Sequence, residues 1–422
     1  MNKHIKDLLC FLDGSPTSVQ ASEQILARLA GKGFTLLDEG RKWNLKPGGK
    51  YFIRRDTSVI AFIAGSAAPD KTGFNLAAAH IDSPGLKLKL ESLKNDGGIC
   101  RVAVEVYGGP ILHTWTDREL GIAGRVVIRN GKKTEVVPVD LKKPVAVIPN
   151  VAIHLNREAN KGFEYDKQKH LQAMVNTREG SVNPLLSALA KELGVPQKQI
   201  AEAELFLYDF ARATLAGLDD SLVISGRLDN LAMSHALLSA MLEAGKPRAT
   251  CLAVLYDHEE IGSHTRQGAA SSLLQETLER ISLSLKLSRE EHIRALRNSF
   301  LISADMAHAF HPSYPEKYDP SYAPAVNGGP VIKWQAAYKY ASTAESSRRF
   351  SSLCEEAGVK PQKFMMHSNL LCGSTVGPIV STQLGIPVVD VGNPLWAMHS
   401  VRETAGVEDH MAMIKVLKKY YI

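Results

Sequence analysis

The chain has few cysteines, and their spacing does not suggest a structural role. Its 422 residues include five cysteines, which are odd in number, widely separated and without a CxxC pair. Regular pairs of cysteines are the usual sign of a disulfide framework or a zinc ribbon, so we expect neither. Unpaired cysteines of this kind are typical of a protein of the reducing cytoplasm.

Charge of one sign and long apolar runs are also scarce. The 50 Lys and Arg residues nearly balance the 44 Asp and Glu residues, and the small formal net charge of +6 is scattered along the chain. This distribution argues against a nucleic-acid partner. No run is apolar enough to span a membrane, and the short apolar stretch after Lys6 runs into Asp13, unlike a signal peptide. We therefore expect a cytoplasmic protein without a membrane or nucleic-acid partner.

The pattern of apolar residues changes twice along the chain. Buried-strand patterns and a helix precede residue 88, and alternation of strands and helices resumes near residue 219. Such alternation is typical of a doubly wound, mostly parallel sheet. We therefore predict an α/β domain formed by residues 1–87 and 220–422, with an inserted β-rich domain of residues 88–219. Within the insertion, Asn130-Gly131 predicts a tight hairpin, and the alternating run 143–155 predicts a strand.

Histidine and acidic residues follow the predicted strands of the α/β domain. In open α/β sheets, side chains at the carboxyl ends of strands can meet on one edge. Taken singly, each residue is more simply a helix cap or a loop charge. Taken together, the carboxylates would repel one another unless a cation lay between them, and histidine with carboxylate suits zinc. The set comprises His80, Asp82, Asp229, Glu259, Glu260, Asp305 and His399.

The pair Glu259-Glu260, in YDHEEIGS, is the most informative part of this set. Neighbouring residues in a turn point in different directions, so one carboxylate could bind a metal while the other faces the substrate. Hydrolysis by a metal-activated water requires both roles. The HExxH motif of helical zinc proteases does not fit, because His264 follows His258 by six positions and Gly262 weakens a helix there.

Longer stretches around these residues resemble the aspartyl aminopeptidase family of dinuclear-zinc exopeptidases. The resemblance implies two divalent ions, most simply Zn²⁺, with Co²⁺ or Mn²⁺ as alternatives. It implies that His80 and Asp305 hold one ion, that Glu260 and His399 hold the other, and that Asp229 bridges them. The stretches, in family order along nearly the whole chain, include AAAHIDSPGLKLK, VYGGPILHTWTDREL, VAIHLNRE, SGRLDNLAMSHALL, LYDHEEIGS, ISADMAHAFHPSYPEK, CGSTVGPI and GNPLWAMHSVRE.

The same resemblance implies roles for residues that would not bind metal. Glu259 would act as the general base, and then as the general acid, for a water activated by the two zinc ions. Asp82 would orient the imidazole of His80. His154 would reach the active site of a neighbouring subunit. The β-rich insertion would serve dimerisation within a homo-oligomer, expected to be a dodecamer built from dimers that acts on peptides.

Substrate preference is the least constrained of these implications. The resemblance places Lys333, His308 and Tyr340 around the first side chain of the substrate, which would favour Asp or Glu. The alternative for Lys333 is that its ammonium extends to solvent. Two departures from the family pattern leave neutral or broad specificity open: Asn369 replaces the usual acid, and WQAAYKY follows Lys333 in place of an Asn-rich stretch that contains Arg.

Two other classes of protein remain possible from the sequence. In LCGST, Cys372 or Ser374 could be a nucleophile with His367 as its base, and such an enzyme would survive treatment with a chelator. Alternatively, the chain could be a metal-binding oligomeric shell protein without turnover. The presence of Glu259 argues against the shell, because a general base is not needed to hold metal.

Overall fold

The computed structural model describes residues 2–177 and 183–422, which contain ten α-helices. These helices are α1 (Lys3–Asp13), α2 (Ser18–Gly31), α3 (Pro69–Thr72), α4 (Pro184–Leu193), α5 (Leu228–Glu243), α6 (Leu273–Ser284), α7 (Arg289–Arg297), α8 (Ala344–Glu356), α9 (Val376–Leu384) and α10 (Val407–Tyr420). No helix in the described ranges is both long and apolar enough to cross a membrane.

The strands fall into three groups along the chain. The first group is β1 (Thr35–Leu36), β2 (Lys50–Arg55), β3 (Ser58–Ile63) and β4 (Phe74–His80). The second is β5 (Gly85–Leu88), β6 (Lys94–Asp96), β7 (Ile99–Tyr107), β8 (Leu120–Asn130), β9 (Lys133–Asp140), β10 (Gln172–Asn176) and β11 (Ile200–Asp209). The third is β12 (Thr214–Ala216), β13 (Leu222–Ser225), β14 (Thr250–Tyr256), β15 (Phe300–Ala304), β16 (Ala307–His308), β17 (Val331–Trp334), β18 (Gln362–Met365), β19 (Val388–Gly392), β20 (Pro394–Trp396) and β21 (Glu403–Gly406).

The main sheet has nine strands in the order β1-β2-β3-β14-β4-β15-β19-β17-β18. Its centre is parallel, because β14, β4, β15 and β19 all run in one direction. The antiparallel pairs are β2–β3, β3–β14 and β17–β19. This arrangement confirms the predicted α/β class with a mostly parallel sheet.

Alternate residues of β4 and β14 enter two different apolar cores. One core packs under α1, α2, α5, α8 and α10, and the other packs under α6, α7 and α9. Since successive side chains of a strand point to opposite faces, helices cover both faces of the sheet. The first core includes Ala77, Ala79, Ala253 and Leu255, and the second includes Leu76, Ala78, Leu252 and Val254.

The second sheet is antiparallel and has the order β10-β7-β5-β11-β8-β9, with β6 paired to β7. Its apolar face packs against α4. The predicted hairpin is confirmed: Asn130 pairs with Lys133, and Gly131 takes a left-handed φ of 64°, which glycine adopts without strain. The sheet begins at Gly85, and the predicted division into residues 1–87 with 220–422 and residues 88–219 stays a prediction.

The strand predicted for residues 143–155 is wrong. Only isolated bridges occur there, from Ala146 to Leu120 and from Val147 to Met174. Pro144 and Pro149 lack the backbone N–H that a ladder needs, which limits pairing along this run. The chain continues as an irregular stretch, hereafter the 148–171 segment, whose only regular element is a short 3₁₀ turn.

A third, five-stranded sheet follows the order β12-β13-β21-β20-β16. Strand β13 leads into α5 and pairs with β21, and β21 also pairs with β20, which follows β19. Ser225 of β13 lies opposite Glu403 of β21 in this sheet. The sheet therefore brings the start of α5 and residues 397–403 to the carboxyl edge of the main sheet.

Candidate metal centre

Five of the predicted ligands meet at the carboxyl ends of the parallel strands. His80 ends β4, Asp305 follows β15, Glu260 lies in the turn after β14, Asp229 lies in the first turn of α5, and His399 precedes β21. Together with Glu259, they form three groups whose side-chain N and O atoms lie within 4.8 Å of one another. These groups are His80, Asp229 and Asp305; Asp229, Glu260 and His399; and His80, Glu259 and Glu260.

Asp229 lies between the two halves of this cluster. Its Oδ1 is 3.5 Å from Nε2 of His80, and its Oδ2 is 3.6 Å from Nε2 of His399. The side chain is buried, and within residues 2–177 and 183–422 neither Asp229 Oδ1 nor Glu260 Oε1 has a hydrogen-bond donor. A buried carboxylate oxygen without a donor is costly, and a cation satisfies it. The histidine and carboxylate donors of this cluster therefore fit divalent metal ions.

The ring of His80 is oriented so that Nε2 faces the carboxylates. Its Nδ1 is 3.0 Å from the backbone oxygen of Asp82 and 3.4 Å from that residue's carboxylate. Burial alone would lower the pKa of His80, but the carboxylates of Asp229, Asp305 and Asp82 outweigh burial and raise the pKa well above its ordinary value. The negative potential that attracts a proton here would equally attract a divalent cation.

The carboxylate of Asp82 holds the turn that carries the two glutamates. Its Oδ1 accepts the backbone N–H of Glu259 at 3.1 Å, and its Oδ2 accepts that of Glu260 at 3.1 Å. The hydroxyl of Tyr107 donates to the same Oδ2 at 2.7 Å. Asp82 therefore contacts His80 mainly through its backbone and fixes the glutamate turn with its side chain.

The two glutamates point to different halves of the cluster. Glu259 Oε2 lies 3.9 Å from Nε2 of His80, and Glu260 Oε2 lies 3.4 Å from Nε2 of His399. Burial, with the neighbouring carboxylates, raises the pKa of Glu259 to about 8. For Asp305, burial is outweighed by Lys333 and His80, which lower its pKa to about 2. The surroundings therefore oppose ionisation of the two glutamates and favour ionisation of Asp305.

Lys333 is buried rather than extended to solvent, with only 2% of its surface exposed. Its Nζ donates to the backbone oxygen of Met306 at 3.1 Å and lies 3.7 Å from Asp305 Oδ2. The ammonium also lies 5.0 Å from the ring centre of Tyr340. Burial, and then Lys333, lower the pKa of His308 to about 4, so this histidine is neutral near pH 7. The structure thus brings all three predicted pocket residues beside the cluster.

His154 is the one predicted site residue that this chain does not bring to the cluster. It lies in the 148–171 segment, where its side chain is exposed. Among the described residues it forms no hydrogen bond or ion pair with any other predicted site residue.

Three supporting residues escaped the sequence analysis. They are Tyr107, Gly109, whose carbonyl lies 3.1 Å from Nδ1 of His399, and Glu403, which accepts the backbone N–H groups of Asp229 and His399. All three lie in the stretches VYGGP and HSVRE, but none is expected to bind metal. The quoted stretches were therefore the only signal that could have identified them.

The predicted alternative with a cysteine or serine nucleophile gains no support. Burial raises the pKa of the Cys372 thiol, which lowers its reactivity. Ser374 Oγ donates to the carbonyl of Lys339, and His367 Nδ1 accepts from the backbone of Asn369. Within the described ranges, no hydrogen bond joins either nucleophile to a histidine.

The chain is similar to known peptidases over nearly its whole length. The family described as aminopeptidase I zinc metalloprotease (M18) matches residues 11–421. A probable M18 family aminopeptidase 2 of Clostridium novyi is 42% identical over 426 residues, which cover 99% of this chain and 98% of that protein. A protein of the same description from Pseudomonas aeruginosa is 40% identical over 420 residues, which cover 98% of this chain and 97% of that protein.

Solved structures agree with the fold. A chain of the Ape4–Nbr1 complex is 33% identical and superposes with a TM-score of 0.95, covering 99% of this chain and 85% of that chain. A chain of the S. cerevisiae mApe1 dodecamer is 26% identical, with a TM-score of 0.85, covering 99% of this chain and 95% of that chain. The sequence match, the fold and the cluster of histidines and carboxylates lead to one conclusion: the chain belongs to the M18 family of zinc metallo-aminopeptidases.

Proposed function

We propose that this chain removes acidic residues from the N-termini of peptides with two metal ions and Glu259 as the proton carrier. The observation that carries the proposal is the position of the Asp229 carboxylate. One of its oxygens faces His80 and the other faces His399. A carboxylate in this position can be shared by two metal ions, while the nearby carboxylate of Glu259 carries the proton. This arrangement suits a two-metal hydrolase.

The metal ligands would divide between two positions. His80 and Asp305 would hold one ion, Glu260 and His399 would hold the other, and Asp229 would contact both. Imidazole and carboxylate donors favour zinc. When bound, the two ions would lower the pKa of a nucleophilic water and polarise the scissile carbonyl.

Glu259 would move the proton. Its carboxylate is held at the edge of the cluster, because Asp82 fixes its backbone and Glu260 turns the other way. From there it would accept a proton from the attacking nucleophile and deliver it to the departing amine. The free α-amine of the peptide would bind beside one of the ions and these carboxylates, which restricts cleavage to the first residue.

Lys333 would select the first side chain. A buried ammonium forms a strong, charge-assisted hydrogen bond with a carboxylate, and neutral His308 adds no competing positive charge. Neutral or broad specificity is the competing candidate, because Asn369 and the exposed residues 336–339 depart from the family pattern in this region.

We also infer that the active form is a homo-oligomer built from dimers, and that a solved relative, the mApe1 dodecamer, indicates its size. The 148–171 segment exposes Val151, Ile153 and Leu155 on either side of His154, and Leu155 is 80% exposed. An apolar surface of this kind is typical of a contact between proteins. Docked on a second copy, the segment would bring His154 to that copy's metal centre.

Metal removal tests the metal requirement. Dialysis against a chelator should abolish activity and lower the unfolding temperature, because the clustered carboxylates then repel one another. Added zinc should restore both, and a free zinc concentration 1,000 times the Kd would stabilise the fold by about 4 kcal/mol for each ion bound. Full activity in protein shown to be metal-free by elemental analysis would instead favour a cysteine or serine enzyme.

Replacement of Glu259 tests the proton carrier. Glu259→Gln keeps the size of the side chain but cannot accept the proton, so kcat should fall by about 10²–10⁴ while the bound zinc stays unchanged. Glu316→Gln, at an exposed site, is the matched control and should retain wild-type kcat. Turnover of Glu259→Gln near the wild-type rate would remove this residue from the mechanism.

A panel of amino-acid 4-nitroanilides tests the acidic preference. For Asp or Glu against Leu, kcat/KM should favour the acid by about 10–150-fold, which corresponds to one charged hydrogen bond of about 1.5–3 kcal/mol. Lys333→Met should erase this ratio, whereas Lys363→Met, at an exposed site on the neighbouring strand β18, should not. A wild-type ratio near one would establish neutral specificity instead.

Mixed oligomers test the role of His154. His154→Ala and Glu259→Gln should each be nearly inactive alone. When the two are dissociated and reassembled together, some sites combine an intact Glu259 with an intact His154 from the partner, so activity should return. Mixtures that stay inactive, although mass spectrometry shows mixed assemblies, would place His154 in its own subunit's site, and full activity of His154→Ala alone would remove this residue from catalysis.

A further inference from the structure

One buried carboxylate fixes the backbone of two proposed metal ligands. Glu403 is only 1% exposed, and its Oε1 accepts the N–H of His399 at 2.8 Å. Its Oε2 accepts the N–H of Asp229 at 2.9 Å. Asp229 and His399 are 170 positions apart in sequence. Glu403 therefore sets the spacing between them without facing the ions.

The second sheet holds the chain around His399 in an unfavourable conformation. His399 has a φ of 67°, in the left-handed region that a non-glycine residue occupies only when its surroundings enforce it. The N–H of Ile111 donates to the His399 carbonyl at 2.9 Å, and Gly109 O lies 3.1 Å from Nδ1. The N–H of Val401 donates to Thr114 Oγ1 at 3.0 Å. Residues 109–114 directly follow β7 of the second sheet.

An ion-pair network adds a second connection to the same chain. Arg402 Nη1 donates to Asp209 Oδ2 at 3.0 Å, and Asp209 ends β11 of the second sheet. The other oxygen of Asp209 accepts from Arg118 Nη2 at 2.9 Å. The side chain of Asp209 is almost fully buried, so this ion pair is shielded from solvent and fixed in one geometry. Arg402 directly precedes Glu403.

Asp305 and Glu260, which belong to different metal positions, are held by different sheets. Asp305 is held within the main sheet, where its N–H donates to the carbonyl of Val391 at 2.8 Å. Glu260 depends on Asp82, whose same oxygen accepts from Tyr107 at the end of β7. Contacts from the second sheet thus converge on the chain around Glu260 and His399.

We propose that the second sheet sets the metal affinity of the Glu260–His399 position, with Glu403 and Asp209 as positioning residues. The inference rests on the proposed metal ligands. It gives the second sheet a role within each subunit, separate from assembly. Loss of either residue lets the His399 backbone relax from its left-handed conformation, so that one ion is released more readily than the other. Replacing residues that orient metal ligands typically weakens binding by about 10–100-fold.

Zinc titration of the metal-free full-length protein tests the inference. Calorimetry with a competing chelator should give two ions per wild-type subunit. In Asp209→Asn, one ion should keep its wild-type Kd and the other should bind about 10–100-fold more weakly. In Glu403→Gln the same ion should weaken most and the other to a smaller extent, because Glu403 also holds Asp229, which would contact both ions. Excess zinc should restore most of kcat in both variants. Glu204→Gln is the matched control, because Glu204 lies on the same strand and pairs with Arg125, away from His399.

Several outcomes would overturn the inference. They are unchanged affinities in both variants, equal weakening of both ions, or the same weakening in Glu204→Gln. A wild-type protein that binds no zinc would instead refute the proposed metal centre, so the two failures are distinguishable. If circular dichroism shows that Glu403→Gln does not fold, Asp209→Asn decides the question by the same titration.

Discussion

Mutual repulsion among buried carboxylates is the constraint on which the rest of this structure depends. Asp229, Glu259, Glu260 and Asp305 are grouped around His80 and His399 at the edge of the main sheet, largely but not fully shielded from bulk water. Such a cluster is stable only if positive charge compensates it and if the backbone cannot move the carboxylates apart. Divalent ions would provide the charge, and the three sheets provide the rigid backbone.

Each of the three sheets positions a different part of this cluster. The parallel strands of the main sheet end together, which places His80, Asp305 and the glutamate turn at one edge. The third sheet brings in the start of α5 and the chain before β21. The second sheet contacts the chain around His399 and, through Tyr107 and Asp82, the turn that carries Glu260. A peptidase centre with ligands from distant parts of the chain therefore needs more than one sheet to hold it.

The sequence predicted the fold class and the composition of the cluster because both depend on local patterns. Each proposed ligand follows a buried strand or begins a helix, so topology alone could place it. Glu403 and Tyr107 were missed because they act on backbone N–H groups and on another carboxylate, which leaves no pattern of spacing. The prediction of a strand over residues 143–155 was wrong because apolar residues also alternate in an irregular segment that is exposed in the single chain.

The position of Asp305 has a consequence for any attempt to change what this enzyme accepts. Its Oδ1 lies toward His80 and its Oδ2 lies toward Lys333. If Lys333 selects the first side chain and Asp305 binds metal, as proposed, substrate recognition and metal binding would be coupled through the single side chain of Asp305. An engineered neutral pocket at residue 333 would also make Asp305 a more basic ligand, so selectivity and turnover would not vary independently.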